Sequence, residues 1–137
     1  MKSDFYLHLS SADSKEYFPE NKSTHFTVKL PEVLHLEGEW RVSLCELFHP
    51  SVDKPQFLWL LTDVCDDTII DGKKLPLLRI FQGKKRQAHV EFTQLHYKSV
   101  NKETIERITV YIRSDNGEAP SFSSETLRCT LHFQPLK

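Results

Sequence analysis

Apolar and polar side chains alternate with a period of two along much of this chain, and no other feature of the sequence constrains the fold as strongly. Successive side chains of a β-strand point to opposite faces, so this alternation is typical of strands that are buried on one face only. The clearest alternating segments lie at residues 5–10, 25–30, 40–44, 90–92, 108–113 and 127–133. The phase breaks near Glu46-Leu47-Phe48, which predicts either a β-bulge or the end of the third strand.

Turns separate the alternating segments. Each of four predicted turns contains a glycine, which adopts a positive φ at little cost: Glu37-Gly38, Asp71-Gly72, Gln82-Gly83 and Asn116-Gly117. Helical patterns are confined to residues 101–107 and 51–61, and prolines limit the second of these to about one turn. We therefore predict a single all-β domain over residues 1–137, an antiparallel β-sandwich of jelly-roll-like form with at most one short helix.

The composition indicates a folded domain and argues against several kinds of partner. Hydrophobic residues make up 39% of the chain, which is too many for a disordered segment. The formal net charge of -1 gives no overall field for nucleic acid, and no apolar run is long enough to span a bilayer. The N-terminus lacks the apolar core of a signal peptide, so we predict a protein of the cytoplasm or nucleus that is not secreted. Cys45, Cys65 and Cys129 lie in or beside apolar runs, and we expect reduced thiols.

The sequence shows no residue spacing of a catalytic or metal site. Asp63, Asp66, Asp67 and Asp71 could offer oxygen ligands to a cation, but their spacing does not fit an EF-hand, and a solvated loop is the favoured interpretation. The histidines form neither an H-x-H nor an H-E-x-x-H pattern, and we predict a surface position for them. A G-x-S-x-G elbow and a glycine-rich phosphate loop are missing as well. We predict no catalytic residue, no metal or cofactor site and no small-molecule substrate.

One dense basic cluster follows the Gln82-Gly83 turn, and it consists of Lys84, Lys85 and Arg86. With Lys73 and Lys74, this cluster could contact phosphate groups or an acidic protein. The segment lacks the interleaved aromatic side chains on which nucleic-acid bases stack, which argues against a nucleic-acid partner. A solvated hairpin tip is the alternative, and the sequence leaves both open.

The middle of the chain carries more apolar surface than a loop normally does. The candidate interface residues in this region are Phe48, Phe57, Leu58 and Trp59. One interpretation is a core strand or a plug over one end of the sandwich. The other is a surface that binds a second subunit, for which aromatic side chains are the usual anchors.

Several segments of the amino-acid sequence also resemble those of a known family. The matching segments are residues 4–11, Tyr17-Phe18-Pro19-Glu20-Asn21, 25–31, 36–46, 75–80, 105–117 and 130–133. This ordered set resembles proteins of invertebrate genomes associated with Polinton (Maverick) elements and adintovirus-like DNA viruses. The resemblance implies a minor capsid or virion-associated protein.

Pattern and resemblance together predict a non-enzymatic structural protein. Its expected partners are copies of itself, in a homo-oligomer, and other virion proteins, with the virion and the host cytoplasm or nucleus as its locations. The alternative is a domesticated interaction module that binds a peptide or protein at a sheet edge. An enzyme and a carbohydrate-binding sandwich are the remaining classes. The residue types that catalysis uses are present, but they do not converge in the sequence.

Overall fold

A computed structural model describes residues 3–123 and 125–136 of the chain. The strands are β1 (Phe5–Ser10), β2 (His25–His35), β3 (Trp40–His49), β4 (Gln56–Thr62), β5 (Thr68–Ile70), β6 (Lys73–Leu75), β7 (Leu77–Gly83), β8 (Ala88–Glu91), β9 (Lys98–Ser99), β10 (Thr104–Ser114) and β11 (Arg128–Pro135). Within the described residues no segment is helical. The all-β prediction is therefore confirmed.

Two antiparallel sheets form the sandwich. Sheet 1 has the order β1-β11-β3-β8, with β9 also paired to β3, and sheet 2 has the order β2-β10-β4-β7. The chain passes from one sheet to the other between most successive strands, so neighbours in each sheet are distant in sequence. This interleaved order is that of a jelly roll, in which two Greek keys share one core. The short hairpin β5–β6 stands outside both sheets.

The core lies between the inner faces of the sheets. Phe26, Val42, Leu44, Ile108 and Phe133 are all fully buried there, at the alternating positions that the sequence predicts. Trp40 leads the inner face of β3 with 3% of its surface exposed, and its indole Nε1 donates to the carbonyl of Glu37 at 2.9 Å. Burying such side chains contributes most of the favourable free energy of folding.

Both helical interpretations are wrong. Residues 51–61 contain most of β4, and β10 begins at Thr104 within residues 101–107. The alternation in β4 is hidden because both of its faces are buried: Leu58 and Leu60 point into the main core, whereas Trp59 packs into a second cluster. A strand that is apolar on both faces cannot be distinguished from a buried helix by its period alone.

The break in alternation near Glu46 is a β-bulge. Thr130 pairs with Glu46 and Leu131 pairs with Leu44, so Cys45 is the extra residue in β3. The strand continues to His49, and its inward positions shift from Leu44 to Leu47 across the bulge. Inserting one residue reverses the phase of every side chain beyond it, which explains why the sequence pattern fails at this point.

The hairpin β5–β6 covers part of the outer face of sheet 2. Trp59, Leu61 and Leu77 are buried there against Ile70 and Leu75 of the hairpin. Trp59 retains only 5% of its surface exposed although it points away from the main core. The hairpin therefore converts the outer face of β4 into a second, smaller core.

Candidate interaction surface

The four residues of the predicted interface do not form one exposed patch. Leu58 is fully buried in the main core and Trp59 is buried beneath the hairpin, so neither is available to a partner. Phe48 and Phe57 are exposed at 41% and 57%. Phe48 lies in sheet 1 and stacks on His89 with ring centroids 4.1 Å apart, whereas Phe57 lies in sheet 2. The prediction of a shared patch is wrong because alternation along β4 and the bulge in β3 send these side chains to different faces.

A different apolar group remains on the outer face of sheet 2. Ile80 of β7 is 43% exposed and pairs in register with Trp59, and Phe57 pairs with the neighbouring Gln82. Phe57 and Ile80 are thus diagonal neighbours on one face, within reach of each other across the two strands. We call this pair the apolar strip. Sequence analysis missed Ile80, since only the pairing register shows that it faces outward.

The two edges of sheet 2 differ in how their backbone groups are satisfied. At the β2 edge, the amide N–H of Thr27 donates to Asn21 Oδ1 at 3.0 Å, and Asn21 Nδ2 donates to the Thr27 carbonyl at 2.8 Å. The amide N–H of Lys29 donates to Ser14 Oγ at 2.9 Å, and Pro31 has no N–H to offer. Such capping hinders another strand from pairing with this edge between Thr27 and Pro31.

The β7 edge has no such cover. Its strand partner is β4 on one side, and none of the described residues bonds to the backbone on its other side. The guanidinium of Arg79 instead packs over the Phe92 ring at 4.2 Å and donates to the Gln94 carbonyl at 2.6 Å. This contact closes the side of the sandwich and leaves the backbone edge of β7 open. An open edge next to exposed apolar side chains is the usual template for strand pairing.

The basic cluster lies in the loop between β7 and β8. Lys84, Lys85 and Arg86 are all exposed. The backbone of Lys84 is fixed, because its N–H donates to His49 Nε2 at 3.4 Å and its carbonyl accepts from the Val52 N–H at 3.3 Å. The cluster therefore presents its charges from a loop that is anchored at its first residue.

The acidic segment lies at the opposite end of β7. The Thr62 N–H donates to the Pro76 carbonyl at 3.1 Å, which places the start of the segment beside the start of β7. Asp63 forms an ion pair with Lys102 at 3.3 Å, and Asp66 and Asp67 are exposed. Across the described residues there is no group of three or more His, Cys, Asp or Glu side chains that could hold a metal ion.

Two histidines contradict the predicted surface position. His49 is fully buried, since the bulge in β3 turns it inward, and burial lowers its pKa. His132 points outward but keeps only 5% exposure: the hydroxyl of Tyr97 lies 2.8 Å from its Nδ1 and the carboxylate of Asp4 lies 2.8 Å from its Nε2. Both imidazoles have their nitrogens occupied by structural contacts.

The three cysteines are free thiols in the structure. Burial raises the pKa of Cys65 and of Cys129 to about 12, and it also raises the pKa of Cys45. A thiol of this kind is almost entirely protonated at neutral pH and is a poor nucleophile. These positions therefore serve packing.

Comparisons with known proteins give weak likenesses of fold. No family model matches the chain, and no curated protein matches it. The NLP core of Drosophila, whose crystal structure concerns pentamer formation and histone binding, aligns over 99% of this chain and 100% of its own length, with 11% identity and a TM-score of 0.35. A mutant VP2 protein of infectious bursal disease virus, solved as T=1 particles, aligns with 12% identity and a TM-score of 0.30. This second match covers 95% of this chain and 31% of VP2.

The described part of the chain contains no helical segment that could span a membrane.

Proposed function

We propose that this chain is a non-enzymatic structural protein that assembles with copies of itself and with other proteins. The observation that carries the proposal is the apolar strip of Phe57 and Ile80 beside the uncovered edge of β7. Exposed apolar side chains grouped on a rigid sheet mark sites of protein contact, since their burial against a partner is favourable. A partner strand on this edge would pair the free backbone groups and cover part of the apolar surface beside it.

The proposed setting is a minor capsid or virion-associated protein of a Polinton-like virus or element, present in the virion and in the host cytoplasm or nucleus during assembly. The sequence resemblance supports this setting. The jelly-roll strand order is compatible with it, because such domains build viral shells, although they also occur in lectins and cupins. A fold by itself does not determine a function.

The open β7 edge also supports a second candidate, a domesticated module that binds an extended peptide. A peptide strand could add to β7 and place alternate side chains against the apolar strip. Self-association and peptide binding use the same edge, so the oligomeric state of the purified chain separates them.

Sedimentation equilibrium on the purified chain tests the proposal. We expect a concentration-dependent mass above the 16.0 kDa of one chain. The double variant Phe57→Ser with Ile80→Ser should weaken association by roughly tenfold or more, the usual effect of removing interface anchors. The matched control is Phe48→Ser with Ile69→Ser, which removes two other exposed apolar side chains, at 41% and 76% exposure. A wild-type chain that stays monomeric at millimolar concentration would overturn the proposal.

A further inference from the structure

We infer that two copies of this chain pair antiparallel through β7, so that sheet 2 continues across a twofold axis near Ile80. This inference rests on the proposed function and names the surface and symmetry of the association. In such a dimer the same patch serves both subunits, as in most homodimers. Ile80 is the middle residue of Leu77–Gly83, and its side chain would face Ile80 of the second copy.

The available edges favour β7 within sheet 2. The first half of the opposite edge, β2, is already capped by Asn21 and Ser14, at Thr27 and Lys29. The free residues of β7 include neither a proline nor a lysine, the residues that usually protect an edge strand. A bulge at Leu78 distorts the start of the strand, and the pairing with β4 is regular from Arg79 to Gly83. The regular part of the free edge is therefore centred at Phe81, one residue from Ile80, and the side chain of Phe81 is buried in the main core.

The side chains set the position of the axis. An axis at Arg79 would bring two guanidinium groups together, which like-charge repulsion disfavours. An axis at Ile80 instead joins the apolar strips of the two copies. Phe57 and Ile80 of each copy would then form one continuous apolar surface across the interface.

Charges at the two ends of β7 are complementary under this symmetry. The basic cluster of Lys84, Lys85 and Arg86 follows the strand. The exposed charged side chains of residues 66–74, which precede it, are Asp66, Asp67, Asp71, Lys73 and Lys74, so three carboxylates and two ammonium groups leave a net formal charge of -1 there. None of these residues takes part in an ion pair within the described structure. Lys84 and Pro76 are each four residues from Ile80, or about 13 Å at 3.3 Å per residue. Antiparallel pairing brings the basic end of one copy toward the acidic end of the other.

Complementary charges introduced at Ile80 test the symmetry directly. In Ile80→Lys, two introduced lysines would face each other across the axis, and in Ile80→Glu two glutamates would. Each variant alone should raise the dimer Kd roughly 100-fold, because like charges at an interface cost several kcal/mol. An equimolar mixture of the two should recover a mixed dimer. Ile69→Lys is the matched control, because Ile69 is 76% exposed on the hairpin and should leave association unchanged.

The outcomes separate the inference from the proposed function. If the wild-type chain associates and both Ile80 variants associate equally well, the inference is overturned while assembly stands on another face. If both variants lose association and their mixture does not regain it, the contact is not twofold at Ile80, and the inference is again overturned. A monomeric wild-type chain overturns both. Far-UV circular dichroism of each variant confirms that the sandwich is intact, and recovery in the mixture also shows that the variants are folded.

Discussion

The outer faces of the two sheets are stabilised in water in different ways. The outer face of sheet 1 exposes Phe48 and Tyr6 but is otherwise largely polar, and side-chain hydrogen bonds connect it: Thr130 Oγ1 lies 3.1 Å from His8 Nδ1 and 3.0 Å from Glu46 Oε1. Glu46 Oε2 in turn lies 3.0 Å from His89 Nε2, so the contacts cross four strands. The outer face of sheet 2 is apolar at Trp59 and Leu61 and is covered by the hairpin instead.

This difference shows where a protein contact can arise. A polar face is compatible with water and needs no cover, whereas an apolar face is stable in water only when something is packed on it. The hairpin covers Trp59 but leaves Phe57 and Ile80 exposed. We therefore place the association at the β7 edge of this incompletely covered face.

From this difference between the faces, we expect the largest loss of unfolding free energy on substitution of Trp59. Trp59→Ala should lower the free energy of unfolding by about 3 to 5 kcal/mol, the usual cost of deleting a buried large aromatic side chain. Phe57→Ala, two residues away on the same face, should change it by about 0.5 kcal/mol or less, because Phe57 is 57% exposed. Urea unfolding of both variants at low protein concentration, where the chain is monomeric, provides the measurement.

Equal losses of unfolding free energy in Trp59→Ala and Phe57→Ala would contradict the conclusion that the hairpin covers Trp59 and leaves Phe57 exposed. A small loss for Trp59→Ala would mean that the hairpin does not hold the indole out of water. A large loss for Phe57→Ala would assign that ring to the monomer core.

The main core was predictable from the sequence because most of its strands bury a single face. Val42, Ile108 and Phe133 all occupy the inner positions that alternation predicts. The second cluster was not predictable, since its contacts join Trp59 to Ile70 through the placement of a hairpin that local pattern does not fix. Of the two residues in the apolar strip, the sequence predicted only Phe57 as a candidate interface residue. The outward position of Ile80 follows from the register between β4 and β7, which the sequence pattern does not give.

The glycines show the same distinction: at some positions a local turn favours glycine, and at another the packing of neighbouring strands does. Gly38, Gly72 and Gly117 have φ values of 79°, 74° and 89°, as turn chemistry predicts. Gly83 is not in this region, and a Cβ there would lie 2.6 Å from Leu58 Cδ1. Its requirement for glycine comes from close packing across β4 and β7, which a sequence pattern does not reveal.

On sheet 1 we expect a smaller effect, from loss of a single hydrogen bond. Tyr97→Phe removes the hydroxyl that lies 2.8 Å from His132 Nδ1 and should cost about 0.5 to 1.5 kcal/mol of unfolding free energy. Tyr6→Phe is the matched control, because Tyr6 contacts the same imidazole through its ring, with centroids 4.6 Å apart. Thermal and urea unfolding should leave Tyr6→Phe close to the wild-type chain. Indistinguishable variants would show that the Tyr97 hydroxyl contributes nothing to this face.

The smallest expected effect is on the pH dependence of the unfolding free energy, and it tests the hydrogen bonds of Glu46 on the outer face of sheet 1. The hydrogen bond from His89, and next that from Thr130, hold the pKa of Glu46 below its ordinary value of 4.5. A carboxylate with a lowered pKa in the folded state contributes stability that is present above its ordinary pKa and is lost as the pH falls through the lowered one. The unfolding free energy of the wild-type chain should therefore exceed that of Glu46→Gln at neutral pH. This difference should shrink as the pH falls below about 4.5 and the unfolded chain, then the folded chain, takes up the proton.

Glu32→Gln provides the control for this measurement. Glu32 is exposed in β2, in the other sheet from Glu46, and its carboxylate takes part in no ion pair in the described structure. Its substitution should leave the pH dependence of unfolding close to that of the wild-type chain. The measurement is urea unfolding of the three proteins between about pH 7 and pH 3, a range that spans the titration of carboxylates. A gap between the wild-type chain and Glu46→Gln that stays constant over this range would mean that the contacts to Glu46 do not favour its ionised form.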